Sequence, residues 1–233
     1  MFEAVHVAPE GESTLARVAV TAANYGFEGL VVRNHGDQPA PPRPEGVLDR
    51  YGLDLVSGVE IRADDPSRAS GFLGSHRPET TIVLVHGGEP AINAFAVRQE
   101  AVDVLAHPMA GEGDLNHVLV RQAAENGVRL EFDLSPALRA VGTDRSRAIR
   151  KLNKLAELVE KYDAPSVVSG DPWSHLQLRS PRELRSVGET VGLDPEVVET
   201  GLAEWGRLAE RNRDRMDDSF VAPGVRKRPG EDR

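Results

Sequence analysis

The sequence contains no cysteine and no apolar run that approaches the length of a membrane span. The first absence excludes a disulfide framework and a zinc site with thiolate ligands. The second argues against a transmembrane helix, which needs about 20 predominantly apolar residues. The opening residues Met-Phe-Glu-Ala-Val-His have neither the basic nor the apolar region of a signal peptide. We therefore expect a cytoplasmic protein without membrane contact.

Lysine is scarce in an acidic chain. There are 37 acidic and 28 basic residues, which gives a net charge of -9, and the lysines are only Lys151, Lys154, Lys161 and Lys227. This balance is typical of surfaces adapted to high salt, although an ordinary acidic cytosolic protein shares it. Net acidity argues against general nucleic-acid binding but leaves room for a local basic patch.

Short apolar runs alternate with amphipathic helical segments along the chain. This alternation predicts βαβ units and a parallel sheet. Seven strands in about 170 residues favour a TIM-barrel-like α/β barrel of about seven parallel strands over a doubly wound sheet, which shows the same alternation. We predict a single barrel domain over residues 1–216 with surrounding helices. The polar, Gly- and Pro-rich segment 217–233 is expected to be a flexible, disordered tail.

Helix boundaries follow from periodicity and from terminal residues. Apolar spacing predicts helices near 12–25, 65–74, 90–99 and 114–126. Ile149, Leu152, Leu155, Ala156 and Val159 mark a long helix that ends near Lys161. The segment Ser180-Pro181-Arg182-Glu183 has the pattern of a capping box with proline at the first helical position. Asp194, followed by Pro195 and Glu196, predicts the start of another helix.

Polar residues lie at or near the ends of the apolar runs: His6, His35, Glu60, His86, His107, Glu131 and Asp171. The carboxyl ends of parallel strands meet at one mouth of an α/β barrel, so these side chains should converge there. Such ligands could hold a hydrolytic metal ion. Close ligand pairs are missing, however, because Ala8 and Trp173 stand two residues after His6 and Asp171. A lone histidine at a strand end is more often a structural residue than a ligand.

Two of these runs resemble a known fold. Val102–Pro108 and Ser57–Ile61 are similar to the His-bearing and Glu-bearing strands of the polymerase-and-histidinol-phosphatase (PHP) fold, a barrel with a multi-metal phosphoesterase centre. That family's His-x-His and Asp-x-His pairs are each reduced to one residue here. The resemblance implies a PHP-like barrel that holds no metal, with a vestigial ring of His6, Glu60, His107, Glu131 and Asp171. The alternatives are an active PHP-type metal-dependent phosphoesterase and a barrel enzyme of unrelated class.

The run Leu178-Arg-Ser-Pro-Arg-Glu-Leu184 is similar to a signature of the ribonuclease P protein component 3 family. Gly26–Gly29, Gly58–Ile61, Asp103–Pro108 and Glu131 fit the same family in order, and the resemblance covers roughly residues 1–212. It implies a non-catalytic subunit of the ribonucleoprotein that removes the 5′ leader of precursor tRNA. The implied partners are ribonuclease P RNA, protein component 2 and the other protein subunits. This chain would bind no cofactor, and Mg²⁺ would serve the reaction of the RNA.

Basic residues cluster between the sixth and seventh strands and again before the next helix. The candidate RNA-binding residues are Arg145, Arg147, Arg150, Lys151, Lys154, Arg179 and Arg182. Positive charge at a helix N-terminus opposes the helix dipole, so another use is indicated. Arginine suits phosphate because it can bind it bidentately. The alternative is a solvated helix face with intrahelical ion pairs. The tail adds Arg226, Lys227 and Arg228, without the interleaved aromatics of base-stacking modules.

Overall fold

Seven parallel strands follow one another around a single sheet in chain order. The computed structural model describes residues 1–42, 50–217, 219–222 and 225–226. The strands are β1 (Phe2–Val5), β2 (Gly29–Val32), β3 (Asp54–Ile61), β4 (Ile82–His86), β5 (Val104–Ala106), β6 (Arg129–Asp133) and β7 (Ser166–Ser169). The predicted barrel of seven parallel strands is confirmed, and contacts between the ends of β1 and β7 nearly close it.

The described residues form eight helices around the barrel. They are α1 (Leu15–Asn24), α2 (Pro66–His76), α3 (Pro90–Ala96), α4 (His117–Asn126), α5 (Ser135–Arg139), α6 (Gly142–Tyr162), α7 (Pro181–Thr190) and α8 (Pro195–Met216). The predicted capping box of α7 is present, with Ser180 accepting from the Glu183 backbone N–H and Glu183 accepting from that of Ser180. Helix α6 begins at Gly142. The apolar pattern marked only its later part, from Ile149, because the first two turns are exposed and carry no apolar periodicity.

Helix α8 covers the N-terminal end of the barrel. Its Trp205, Leu208 and Ala209 pack with inward-facing strand residues in one buried cluster. The indole Nε1 of Trp205 donates to the Val168 carbonyl at 2.9 Å. Polar side chains of α8 then reach the starts of the strands, for example Arg213, which donates to Asp54 at 2.7 Å. The C-terminal mouth is left as the face on which polar residues can gather.

The edges β1 and β7 are joined by polar contacts, and within the described residues they do not pair as neighbouring strands. The Glu3 carboxylate accepts from the Gly170 backbone N–H at 3.2 Å, and the His6 N–H donates to the Pro172 carbonyl at 3.1 Å. Burial raises the pKa of Glu3 to about 8. These contacts fix the position of β7, and with it the loop that carries Asp171.

The tail is described only in part. Phe220–Ala222 and Val225–Arg226 form an antiparallel pair, β8 and β9, next to α8. Two short segments of the expected flexible tail therefore satisfy each other's backbone groups. The rest of the expected flexible tail, including Lys227 and Arg228, lies outside the described residues.

Candidate functional site

Several side chains at the mouth of the barrel continue the inward-facing side of a strand. Alternate side chains of a strand face the same side of the sheet. Inward Ala4 is therefore followed by His6, and inward Val31 is followed by Arg33. The same period places His86 two residues after Leu84, Ser169 two residues after Val167, and Glu60 four residues after Val56. These strands thus contribute an apolar layer inside the barrel and a polar layer above it.

The guanidinium of Arg33 lies at the centre of this polar layer and is fully buried. Its Nε donates to Glu60 Oε2 at 2.7 Å, and its Nη1 donates to Glu131 Oε1. Its Nη2 lies 3.3 Å from His107 Nε2, and its Nη1 lies 4.0 Å from Asp171 Oδ1. Burial opposes a charge here, but the carboxylates raise the pKa of Arg33 well above its usual value. A permanent cation therefore occupies the centre of the mouth.

His107 supplies a second positive charge. Its Nδ1 lies 3.0 Å from Asp133 Oδ2, and its backbone N–H donates to Glu131 Oε2 at 2.9 Å. Burial alone would lower the pKa of His107, but the charges of Glu131, Asp133 and Glu60 raise it to about 10. Its φ of 47° is rare for a residue with a side chain, so the surrounding contacts must hold this conformation.

Glu10 organises the outer edge of the mouth. Its carboxylate accepts from His6 Nδ1 at 3.0 Å, from the His35 backbone N–H at 2.9 Å and from His35 Nδ1 at 2.5 Å. Burial opposes the charge of Glu10, but these donors lower its pKa. His35 Nε2 in turn lies 3.3 Å from Nδ1 of His86, which pairs with Glu60. The histidines are thus held by carboxylates and by one another.

Trp173 lies over His6 and Asp171 and occupies the position at which the Asp-x-His pattern has its histidine. Its ring stacks on His6 with a centroid distance of 4.3 Å and an interplanar angle of 18°, and its Nε1 donates to Asp171 Oδ2 at 3.3 Å. Beneath it, His6 Nε2 and Asp171 Oδ1 lie 3.3 Å apart. Both atoms are buried, and in the described part of the chain neither has a hydrogen-bond partner.

The mouth does not fit a resident metal ion at its centre. In the part of the chain that the structure describes, three groups bring potential ligand atoms within 4.8 Å of one another: His6 with Glu10 and His35, His35 with Glu60 and His86, and His107 with Asp133 and Asp171. Glu60, His107 and Asp171 all adjoin the Arg33 guanidinium, so an ion in the last two groups would face a fixed positive charge. In the first group, the Glu10 oxygens already accept from both imidazoles.

The predicted basic residues lie at the same mouth but differ in their contacts. Lys151 Nζ donates to the Met109 and Gly111 carbonyls at 2.7 and 3.0 Å, and Lys154 pairs with Asp114 at 2.5 Å. Arg179 donates to the Leu178 carbonyl at 2.8 Å. These three side chains hold loops of the barrel in place.

Three further arginines are exposed. Arg145 and Arg150 lie in the N-terminal half of α6, and Arg182 lies on the first turn of α7. Within the described residues these three have no ion pair, whereas Arg147 pairs with Asp144 at 3.1 Å. Because α5 and α6 follow β6 and α7 follows β7, both basic helix starts lie at the mouth, next to each other around the barrel.

The sequence located most of the ring but missed its centre. His6, Glu60, His107, Glu131 and Asp171 do converge, and they meet around Arg33, which no sequence motif had indicated. The available signal was the period of two, since Arg33 follows inward Val31 as His6 follows Ala4. Glu10, which lies in the loop after β1, had no periodic signal.

The fold and the mouth define a class of protein: a nearly closed, TIM-barrel-like α/β barrel whose polar ring is closed by internal ion pairs. Histidinol phosphate phosphatase from Lactococcus lactis, solved with zinc, has a similar fold, with a TM-score of 0.53 and 11% identity over 83% of this chain and 94% of that chain. The likeness extends to the barrel alone.

The chain belongs to the RNase P subunit p30 family, whose model matches residues 1–217. Ribonuclease P protein component 3 of Haloarcula marismortui is 56% identical over 226 residues, which cover 97% of this chain and 96% of the relative. A chain in the cryo-EM structure of archaeal ribonuclease P with mature tRNA has a TM-score of 0.87 and 24% identity, with full coverage of both chains. None of the described helices is long and apolar enough to span a membrane.

Proposed function

We propose that this chain is a protein subunit of ribonuclease P that organises RNA and other subunits and performs no chemistry itself. Family membership supports the assignment to ribonuclease P. The observation that carries the non-catalytic role is the buried Arg33 guanidinium, which pairs with Glu60 and Glu131 where a hydrolytic centre needs an open metal position. In this proposal the RNA subunit, with Mg²⁺, removes the 5′ leader of precursor tRNA.

The exposed arginines at the mouth form the proposed RNA interface. Arg145, Arg150 and Arg182 present guanidinium groups that no internal carboxylate neutralises in the described part of the chain. A guanidinium can bind two phosphate oxygens at once, and this specificity persists where salt screens simple charge attraction. Arg147 can exchange Asp144 for phosphate because both partners are exposed. Lys151, Lys154 and Arg179 support the interface through the loops that they hold.

The partners of this subunit are inferred from its family. Ribonuclease P RNA and precursor tRNA are the proposed nucleic-acid partners, and protein component 2 and the other subunits are the proposed protein partners. An acidic chain that meets RNA over one basic face needs such subunits, because its remaining surface repels phosphate.

A reconstitution experiment tests the RNA interface. We expect the triple variant Arg145→Ala, Arg150→Ala, Arg182→Ala to support less precursor-tRNA cleavage at limiting Mg²⁺ while retaining its melting temperature. The slope of log affinity against log salt should fall by about 0.7 to 0.9 for each phosphate that the variant no longer neutralises. The control is the double variant Arg121→Ala with Arg207→Ala, which removes two exposed guanidiniums paired with Glu125 and Glu204. Equal activity in the triple variant and the control would refute the interface.

A second assay separates the subunit from a PHP-type phosphoesterase. The purified chain is loaded with Mn²⁺ or Zn²⁺ and assayed for phosphoester hydrolysis beside a His107→Ala, Glu60→Ala variant. We expect no turnover from either protein. Metal-dependent turnover that disappears in the variant would overturn the non-catalytic role, whatever the reconstitution shows.

A further inference from the structure

We propose that Arg33 is a built-in cation that holds the ring together in place of a metal ion, and that removing its guanidinium opens a divalent-cation site at the mouth. The proposal concerns the ring alone and does not depend on how the subunit meets RNA. It makes Arg33 the residue that separates this barrel from a metal-binding one.

The first argument is the position of the guanidinium. Arg33 extends from β2 into the middle of the mouth and contacts side chains from three other strands or their ends: Glu60, Glu131 and His107. A cation in this position serves as a common counter-ion, which is the electrostatic role of a metal ion among carboxylates. The planar guanidinium is permanently charged, offers five N–H donors and is weakly hydrated, which suits a fully buried position.

The second argument is the unused coordination capacity around it. His6 Nε2 and Asp171 Oδ1 are buried and face each other at 3.3 Å, and in the described residues neither atom forms a hydrogen bond with any other group. Glu60 Oε2 lies 3.9 Å from the same His6 nitrogen, and Asp171 Oδ1 lies 4.0 Å from Arg33 Nη1. The His6 nitrogen therefore has a carboxylate oxygen of Glu60 at 3.9 Å and one of Asp171 at 3.3 Å. The guanidinium bonds Glu60 and places its fixed positive charge in the same space, where it opposes a divalent ion.

Loss of Arg33 changes the balance of charge in this space. Glu60, Glu131 and Asp171 would remain buried with only the histidines to offset them, and buried carboxylates without a partner are strongly destabilising. A divalent ion bound by His6, Glu60 and Asp171 would restore that compensation. Nitrogen and carboxylate ligands of this kind suit Zn²⁺ and Mn²⁺. The folded variant should therefore bind such an ion and be stabilised by it.

The test compares three full-length proteins in concentrated KCl after treatment with EDTA: the wild type, Arg33→Lys and Arg33→Met. Each is titrated with Mn²⁺ and with Zn²⁺, and both bound metal and melting temperature are measured. We expect one ion per chain in Arg33→Met, with a melting temperature that rises with metal concentration. The wild type and Arg33→Lys should bind no stoichiometric ion, because each keeps a cation in the ring. Adding Glu60→Gln to Arg33→Met should abolish binding.

Two results would overturn the proposal. One is stoichiometric binding to the wild type that is lost in His6→Gln, since the ring would then hold a metal beside Arg33. The other is a folded Arg33→Met that binds neither ion.

A variant that fails to fold is covered by chemical rescue. Arg33→Ala leaves a space that a small guanidinium can fill, so millimolar methylguanidinium should raise its melting temperature, whereas methylammonium should raise it less. If neither methylguanidinium nor either metal stabilises Arg33→Ala, the role of a central cation is refuted.

Discussion

A buried carboxylate at the N-terminal end of the barrel provides the sharpest stability prediction. Asp103 precedes β5 and is almost completely buried. Its Oδ2 accepts from the Val83 backbone N–H at 2.9 Å and from Arg77 at 2.5 Å, and its Oδ1 accepts from Arg211 at 2.7 Å and from Asn212 at 2.8 Å. One side chain therefore joins β4, the end of α2 and the end of α8.

The change Asp103→Asn keeps the shape but removes the charge and turns one acceptor into a donor. At least one charged hydrogen bond is lost, and one guanidinium faces an amide N–H. Breaking a buried pair costs about 3–5 kcal/mol, but Arg77 and Arg211 are 25% and 32% exposed, so water can partly solvate them. We therefore expect a loss of about 2–3 kcal/mol in the free energy of unfolding.

Urea unfolding in low and high KCl measures this loss. Because the carboxylate is shielded from salt, the loss should persist in concentrated KCl. The control Asp64→Asn breaks an exposed pair with Arg68 and should have no measurable effect. A loss below about 1 kcal/mol for Asp103→Asn, or an equal loss in the control, would refute the reasoning.

Two further predictions concern the mouth and the packing of α8. The pKa of His107 rises from 6.5 in the unfolded chain to about 10 in the folded protein. The stabilisation of the folded state by its positive charge is therefore fully present below pH 6.5 and is lost as the pH rises through 10. The difference in unfolding free energy between wild type and His107→Gln, measured by urea titration, should shrink across that window, and a constant difference would contradict the ion-pair assignment. A Cβ on Gly201 would lie 2.6 Å from Val168 Cγ2 and 2.9 Å from its backbone nitrogen, so Gly201→Ala should cost about 1–3 kcal/mol. Gly71→Ala, where nothing lies within 4 Å of the added Cβ, should stabilise its helix, and thermal melts that rank the two variants otherwise would contradict the packing argument.

The barrel could be predicted because apolar runs alternate with helix signals along most of the chain. Helix ends were predictable where a side chain caps them, as at Ser180 and Asp194, because capping is local chemistry. The start of α6 could not be predicted in this way, because its N-cap residue, Val141, makes no side-chain cap hydrogen bond. Within the site, each histidine could be recognised in the sequence because it lies at or near the end of an apolar run. Their assembly around Arg33 depends on which faces of separate strands meet, and this follows only from the closed sheet.

The basic residues near the mouth divide into two groups that composition alone could not separate. Arg139 donates to the Gly170 and Asp171 carbonyls at 3.1 and 2.8 Å, and Lys151 in the same way holds the loop after β5. Such side chains use their charge to satisfy backbone carbonyls that the loops leave unpaired. Arg145 and Arg150 have no such internal task in the described residues, and their exposed guanidiniums remain for an external anion. The ion-paired ring and the carbonyl-bound cations both constrain the loops of the mouth. If the proposed RNA interface is correct, this constraint lowers the conformational entropy lost when RNA binds there.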